Sequence, residues 1–448
     1  MVNKLIGGIS LSPPLQALKK KLTIEQEHVL SYEPTMVFIP LVQHIGTPAH
    51  PTVKTGEIVK KGQIIGREDG FISAPIHASV SGKVVDITDW PDQNNQEVMT
   101  VIIENDFKQT SVLPTDFHWQ EATTQEILPK IQQAGIVGKG GAAFPTHVKF
   151  SLDEKKQEKI DRLIINGAEC EPFLRSDALL MTEQAEQIIQ GALIARKLLG
   201  DPDIFIGIEE DKPKSIAAMK KASSSYPFIT VYSLPAVYPT GGEKQLIAIL
   251  TQREVPLGKL PADVGVVVLN VATSAAIANA VCHDQPLIER YTTVTGDVKE
   301  PKIVKNPIGT LSGELIDFAG GFEGTPAKVI LGGPMMGKTI DTLRVPITKN
   351  SNGIVVFNQK NVPIFTENPC IRCNKCVEAC PMRLMPASID QYFRNGDFDK
   401  CEELLADACI NCGACTFVCP ARRDLAATIT QAKQKVITLK REAVANGK

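Results

Sequence analysis

The spacing of hydrophobic and polar residues changes along the chain and divides it into regions of different predicted structure. Apolar and polar residues alternate across 35–105, with glycines between the short runs, which predicts brief strands joined by tight turns. From 120 to 285, apolar runs alternate with helical stretches. The predicted strands are 163–166, 204–209, 228–233 and 264–270, and the predicted helices are 182–199, 212–222, 242–250 and 272–283. This alternation indicates a parallel α/β sheet, in which ligands bind at the carboxyl ends of the strands.

The C-terminal third combines a small β unit with helices. Strand-like runs at 292–296 and 329–337 predict a mixed β unit, and a linker is expected at 348–352. The second run contains GGPMMG, which we expect to be a tight structural loop. A helical stretch is predicted over 383–407, and an amphipathic helix is predicted after Asp424.

The composition is that of an ordinary globular protein. The chain has 448 residues, 43% hydrophobic and 22% charged, which is enough for several domains with their own cores. The formal net charge of −2 gives no basic field for nucleic acid. Residues 264–282 carry no charge, but their β-branched first half and Ala- and Ser-containing second half predict a buried strand and helix rather than a membrane span. With no leader pattern or lipidation motif, we expect a soluble chain.

Cysteine is the most informative residue of the composition. Nine of the eleven cysteines lie after residue 369, and such a terminal cluster indicates metal binding in a reducing compartment rather than a disulfide scaffold. Two runs, at 370–381 and 409–420, follow the pattern C-x-x-C-x-x-C-x-x-x-C-P. This is the spacing of bacterial two-cluster ferredoxins, in which the fourth cysteine of each run binds the other cluster.

The same spacing assigns the ligands of two [4Fe–4S] clusters. One cluster would be held by Cys370, Cys373, Cys376 and Cys419, and the other by Cys409, Cys412, Cys415 and Cys380. Two structural zinc sites are the alternative, but a third cysteine at this spacing is unusual in zinc ribbons. The helical stretch between the runs indicates the helical type of ferredoxin domain. Cys401 lies outside both runs, and we expect it to be a buried thiol.

Residues 138–149 form a glycine-rich segment, GKGGAAFPTHVK. Three glycines, Gly138, Gly140 and Gly141, would let the backbone approach a ligand closely. A helix is predicted to begin after them, and its N–H groups together with Lys149 would suit a phosphate. The segment matches neither G-x-G-x-x-G nor a P-loop, so a plain tight turn explains it equally well.

Polar residues also follow the predicted strands of the α/β region, where ligands bind. They are Asn166, Glu169 and Glu171 in NGAECEP, Glu243 in YPTGGEKQ, and Asn270 and Thr273 in NVATS. Carboxylates at such strand ends can accept hydrogen bonds from ribose hydroxyls. Solvated turns are the alternative explanation.

These motifs together resemble a known family. GKGGAAFPTHVK, NGAECEP, YPTGGEKQ and NVATS occur in this order, and they resemble the flavin- and NADH-binding subunit of respiratory complex I. The chain is more similar to the C component of the Rnf complex, the ion-translocating ferredoxin:NAD⁺ oxidoreductase, because GGISL, VFIPLVQHIG, GGPMMG and CIRC also fit in order. The family loop usually has the form GGAGFP, and Ala143 stands here in place of its last glycine. Flavoprotein cobalamin reductase shares these modules but places its barrel domain after the ferredoxin domain.

The resemblance implies one shared site for FMN and NAD(H). A flavin would stand between the nicotinamide, which exchanges a hydride, and the clusters, which pass single electrons. The implied pocket residues are Gly138, Gly140, Gly141, Ala142, Phe144, Lys149, Asn166, Glu169, Glu171, Glu243, Asn270 and Thr273. No general acid or nucleophile is required, and no catalytic residue is assigned.

The resemblance also implies a multidomain fold of the α/β plus β class. The N-terminal strands resemble the barrel–sandwich hybrid of biotinyl and lipoyl carriers, but the tip at 67–70 has no modifiable lysine, so a structural or docking role is expected. The expected domains are a barrel–sandwich hybrid (1–118), a Rossmann-like FMN- and NADH-binding domain (119–285), a small β-grasp-like SLBB domain (286–347), a helical two-cluster ferredoxin domain (360–425) and a C-terminal tail (426–448).

The expected function is that of a peripheral electron-transfer subunit. It would lie on the cytoplasmic face of the bacterial inner membrane and contact membrane subunits and an iron–sulfur partner subunit of an Rnf-type complex. A docking and relay protein that binds no nucleotide is the alternative, and bound flavin would distinguish the two.

Overall fold

The N-terminal unit of the fold is a barrel of short antiparallel strands. The computed structural model describes residues 5–10, 26, 28–113, 117–362 and 366–445. The strands are β1 (Leu30–Ser31), β2 (Met36–Pro40), β3 (His50–Pro51), β4 (Ile58–Val59), β5 (Ile64–Arg67), β6 (Ile76–His77), β7 (Gly82–Pro91) and β8 (Glu97–Asn105). They form the sheets β2-β8-β7-β4 and β3-β5-β6, while β1 belongs to a later sheet. Alternate residues such as Val37, Ile39 and Ile103 fill the interior, as a period of two requires.

The second unit is a parallel sheet flanked by helices. Its elements are α1 (Thr124–Gln133), α2 (Thr146–Phe150), α3 (Glu154–Gln157), β9 (Arg162–Gly167), α4 (Ser176–Glu183), α5 (Ala185–Leu198), β10 (Asp203–Glu209), α6 (Pro213–Ala222), β11 (Ile229–Leu234), α7 (Glu243–Thr251), a 3-10 turn (Pro261–Val264), β12 (Val266–Asn270) and α8 (Val271–His283). The strand order is β11-β10-β9-β12, and every pairing is parallel. The uncharged run from residue 264 is therefore a buried strand and a buried helix, as predicted. Among the described residues, no helix has both the length and the apolar character needed to span a membrane.

The third unit is a six-stranded mixed sheet. It contains β13 (Glu289–Gly296), β14 (Lys302–Pro307), α9 (Ser312–Phe318), β15 (Pro326–Leu331), β16 (Lys338–Thr339) and β17 (Gly353–Asn358), in the strand order β1-β14-β13-β17-β15-β16. The sheet thus extends past residue 347, because β17 lies between β13 and β15.

The expected linker at 348–352 is wrong for a physical reason. Lys349 is 1% exposed, and its Nζ donates hydrogen bonds to Pro75 O at 2.7 Å and Gly135 O at 2.8 Å. This segment therefore ties the third unit to the barrel and to the segment that leads into the glycine loop.

The C-terminal unit is helical. It contains α10 (Lys375–Ala379), α11 (Pro386–Arg394), α12 (Phe398–Glu403), a 3-10 turn (Ala406–Ala408), α13 (Ala414–Phe417) and α14 (Leu425–Ala445). The predicted helices between the cysteine runs and after Asp424 are present. Helix α14 buries Leu425, Ile429 and Val436 in the same core as Ile389 and Cys401, so it is part of this unit rather than a separate tail. Residues 446–448 of the predicted tail lie outside the described residues.

Candidate functional site

An open cleft of about 450 Å³ lies at the carboxyl ends of β9 and β12. It is bordered by all twelve residues of the predicted pocket, namely Gly138, Gly140, Gly141, Ala142, Phe144, Lys149, Asn166, Glu169, Glu171, Glu243, Asn270 and Thr273. They meet because Asn166 in β9 and Asn270 in β12 are register partners at the ends of adjacent parallel strands. Side chains at these ends point to the same edge of the sheet, where ligands bind in such folds.

The glycine loop forms one wall of the cleft and exposes its backbone to it. A Cβ at Gly141 would meet nothing within 4 Å, whereas a Cβ at Gly140 would lie 3.0 Å from Asn270 Cβ. The Lys139 N–H donates to Thr273 Oγ1 at 2.9 Å, which anchors the loop to α8. Ala143 has φ +52°, a left-handed conformation that explains why a glycine suits this position in related loops.

Lys149 reaches the cleft from α2. Its Nζ donates to Val268 O at 2.8 Å and lies 3.4 Å from Glu243 Oε1 on α7. Helix α2 begins at Thr146, directly after Pro145. The cation is thus held at the floor of the cleft by contacts to two other elements.

Glu169 is oriented by a helix. Its carboxylate accepts hydrogen bonds from Asp177 N at 2.8 Å and Ala178 N at 2.9 Å, at the start of α4. Burial and the neighbouring Asp177 carboxylate raise the pKa of Glu169 to about 7. Asp177 in turn accepts from Asn270 Nδ2 at 2.6 Å, and Asn270 Oδ1 caps α8 by accepting from Ala272 N.

Glu171 is oriented by the GGPMMG loop of the third unit. Its carboxylate accepts hydrogen bonds from Met335 N at 3.0 Å and Met336 N at 2.8 Å, and burial raises its pKa to about 7. Glu169 and Glu171 are therefore not in solvated turns. Glu169 Oε1 also accepts from Ser176 Oγ at 3.3 Å, so Glu169 Oε2 and both oxygens of Glu171 are the ones that keep a lone pair for a ligand hydroxyl.

The two cysteine runs have the same backbone course. Left-handed residues occur two and four positions after the first cysteine of each run, at Arg372 and Asn374 and at Asn411 and Gly413. The N–H groups of Arg372 and Asn411 donate to the first sulfur of their run, at 3.4 and 3.3 Å. A backbone that coils in this way and points N–H groups at sulfur fits a cubane held by thiolates.

The fourth cysteine of each run interacts electrostatically with a cysteine of the other run. Burial and the nearby Cys409, Cys412 and Cys380 sulfurs raise the pKa of the Cys415 thiol to about 12, so Cys380 lies with the second run. The pKa of Cys376 is likewise raised by burial and by Cys419. The described cysteines are all free thiols. Such a crossed arrangement fits two neighbouring clusters.

Cys401 lies apart from both runs. It is fully buried, and its Sγ is 3.8 Å from Ile389 O. The prediction that Cys401 is a buried thiol is confirmed.

Several residues of the cleft were not anticipated. Tyr238, Met336, Ile410 and Cys412 all border it. The Tyr238 hydroxyl donates to Cys412 O at 2.7 Å. YPTGGEKQ could have signalled Tyr238, but no sequence pattern places Cys412 of the second run in the wall of this cleft.

A nucleotide cleft on a parallel sheet, joined to a two-cluster ferredoxin unit, defines a flavin- and iron–sulfur-containing electron-transfer protein. Four family models match in order. They are "RnfC Barrel sandwich hybrid domain" over 5–108, "Nuo51 FMN-binding domain" over 131–279, "SLBB domain" over 291–339 and "4Fe-4S dicluster domain" over 369–423. These matches confirm the predicted fold class. They also identify FMN and [4Fe–4S] clusters as the cofactors of the matched domains.

Curated relatives identify the family. The C component of a "Proton-translocating ferredoxin:NAD(+) oxidoreductase complex" of Clostridium ljungdahlii is 47% identical over 83% of this chain and 81% of its own length. The C component of a "Na(+)-translocating ferredoxin:NAD(+) oxidoreductase complex" of Acetobacterium woodii is 45% identical over 97% of this chain and 98% of its own length. The chain belongs to the RnfC family, the C components of the Rnf ferredoxin:NAD⁺ oxidoreductase complexes, and its chemistry is that of an oxidoreductase. The barrel precedes the ferredoxin unit, unlike the order expected for cobalamin reductase.

One solved structure resembles the fold at low sequence identity. An NAD⁺-reducing [NiFe]-hydrogenase in its H₂-reduced state aligns with a TM-score of 0.50 and 20% identity, over 72% of this chain and 67% of that chain. The likeness supports the arrangement of the units.

Proposed function

We propose that this chain exchanges electrons between NAD(H) and the membrane subunits of its complex, as a peripheral subunit on the cytoplasmic face of the membrane. The observation that carries the proposal is Cys412, a predicted cluster ligand that also borders the nucleotide cleft. A cleft and a cluster site that share a wall have the arrangement needed to pass electrons between them. FMN, when bound, accepts a hydride and releases single electrons, which is the conversion that NAD(H) and the clusters require.

The cleft residues would hold and orient the flavin and the nicotinamide nucleotide. The open backbone at Gly141 suits close approach of a ligand, and Lys149 supplies a cation at the floor. Glu169 and Glu171 are fixed by backbone N–H groups and present their remaining lone pairs to hydroxyl donors. The other members of the predicted set, Gly138, Gly140, Ala142, Phe144, Asn166, Glu243, Asn270 and Thr273, complete the walls.

The eight predicted cysteines would hold two [4Fe–4S] clusters in the crossed pattern. Cys409, Cys412, Cys415 and Cys380 would hold the cluster beside the cleft, and Cys370, Cys373, Cys376 and Cys419 the second cluster. The proximity of Cys380 to Cys409, Cys412 and Cys415 supports this assignment.

The second cluster site reaches the surface. Cys370 and Cys373 are exposed, and Ile371 between them is 66% exposed. Electrons would pass from this exposed cluster site to an iron–sulfur partner subunit. The membrane subunits would carry ion translocation, and the two relatives above, one named for protons and one for sodium, leave the ion open.

Anaerobic reconstitution tests the proposal. The full chain is loaded with iron, sulfide and FMN, and NADH is added while the visible spectrum is followed. We expect flavin and cluster absorbance to bleach together. The Cys412→Ala variant should retain the flavin bleaching and lose part of the cluster bleaching.

The alternatives give different results in the same experiment. Clusters without bound flavin, and no response to NADH, would favour the relay protein that binds no nucleotide. If the anaerobically purified chain contains zinc instead of iron, the assignment of two iron–sulfur clusters is rejected.

A further inference from the structure

The GGPMMG loop (332–337) is packed against the cleft rather than being a plain turn. A Cβ at Gly333 would lie 2.2 Å from Glu171 Oε2, and a Cβ at Gly337 would lie 2.4 Å from Gly333 O. Only glycine allows both approaches. The loop thereby brings the Met335 and Met336 N–H groups to the Glu171 carboxylate.

The opposite side of the loop meets the second cysteine run. A Cβ at Gly413 would lie 3.0 Å from Met335 O and 3.7 Å from Met335 Cε. Met335 packs in one apolar cluster with Ile9, Tyr238 and Cys412. Its neighbour Met336 is 54% exposed, so the two methionines of the motif lie in different environments.

The N-terminal segment packs against the same group of apolar side chains from another direction. Ile9 pairs with Tyr238 through two backbone hydrogen bonds of 2.7 and 3.0 Å, and Gly8 N donates to Ala379 O at 2.9 Å. A Cβ at Gly7 would lie 2.7 Å from Cys380 O. Three motifs from three parts of the chain therefore converge beside Cys380 and Cys412.

We propose that Met335, Tyr238 and Ile9 form an apolar seal that excludes water from the Cys412 side of the cleft-proximal cluster and keeps its reduction potential low. The reason is electrostatic. Reduction adds negative charge to the cluster, and water or additional hydrogen-bond donors at its sulfurs stabilise the reduced state and raise the potential. The proposal rests on the cluster assignment in the proposed function, and these three are positioning residues, since none is a ligand.

The test compares Met335→Gln with Met99→Gln in the full reconstituted chain. Redox titration followed by EPR should show a higher reduction potential for one of the two clusters in Met335→Gln. The expected increase is roughly 59 mV for one electron, which corresponds to a tenfold change in the redox equilibrium constant. Met99→Gln, at a 48% exposed methionine of the barrel, is the matched control and should leave both potentials in place. Met335→Leu, which keeps an apolar side chain at this position, should have the same cluster potentials as the unaltered chain.

Ile9→Asn approaches the seal from the N-terminal segment and provides a second perturbation if Met335→Gln fails to assemble. It should shift the same cluster in the same direction. Unchanged potentials in the assembled Met335→Gln and Ile9→Asn variants, or an equal shift in Met99→Gln, would overturn the seal. Absence of two clusters in the unaltered chain would instead reject the proposed function.

Discussion

Replacing Glu171 by glutamine tests the geometry of the cleft through its pH dependence. Glu171 accepts two N–H groups from the GGPMMG loop, and burial raises its pKa from an ordinary 4.5 to about 7. The closed loop therefore binds the carboxyl proton more tightly than an opened loop does. Below pH 4.5 the group is protonated in both states, and closing is most favourable there.

The magnitude follows from the two pKa values. As pH rises above 4.5, the opened state ionises first, and the free energy of loop opening falls until both states are ionised above about pH 7. The full difference corresponds to about 3 kcal/mol. Between about pH 5.5 and 8 the free energy of loop opening falls by about 2 kcal/mol. This lowers the protection of the loop amides roughly 30-fold.

Amide hydrogen exchange of residues 331–337 measures this opening. After correction for the intrinsic rate, protection in the unaltered chain should fall across the pH range. Glu171→Gln cannot ionise, so its protection should stay constant across the pH range; its amide NH₂ cannot accept one of the two loop N–H groups, so the slope and not the level is the test. Glu243→Gln, which alters the carboxylate beside Lys149, is the matched control and should keep the original slope. Equal slopes for the unaltered chain and Glu171→Gln would refute the reasoning.

Three further perturbations test other parts of the structure. Gly140→Ala should weaken FMN binding about tenfold, or about 1.4 kcal/mol, because its Cβ would press on the asparagine that caps α8; an unchanged dissociation constant in a fluorescence titration would contradict this. Cys401→Ala should keep the full iron content while Cys412→Ala loses about half, and equal losses by iron analysis would contradict the ligand assignment. Lys349→Met should lower the thermal midpoint, because two buried carbonyl oxygens lose their hydrogen-bond donor at a cost of about 1–3 kcal/mol each. Lys328→Met, at an exposed lysine, is the control. A similar decrease in both variants would contradict the structural role of the buried Lys349 ammonium.

Local patterns were enough to predict the elements and the cluster motif of this chain, while FMN and NAD(H) were implied by the resemblance to a known family. The period of two, the alternation of strands with helices and the paired cysteine runs each depend on neighbours within a few residues, and such neighbours set backbone conformation and ligand spacing. The pocket residues were implied by the resemblance, and the common edge of parallel strands explains why two of them, Asn166 and Asn270, lie together. The prediction of a linker at 348–352 failed because Lys349 has the character of a surface residue, and its carbonyl partners lie hundreds of positions earlier in the chain.

The sequence by itself determined the cluster motif, the parallel sheet, the glycine loop and the family. Only the tertiary structure decided which cysteine run borders the cleft, that the GGPMMG loop holds Glu171, and that Ile9 closes against Tyr238. The physical reason is the range of the interactions. Strand periodicity and cysteine spacing are written in adjacent residues, whereas burial and contact between Met335, Glu171 and Cys412 arise when separate units pack, and no local pattern encodes that packing.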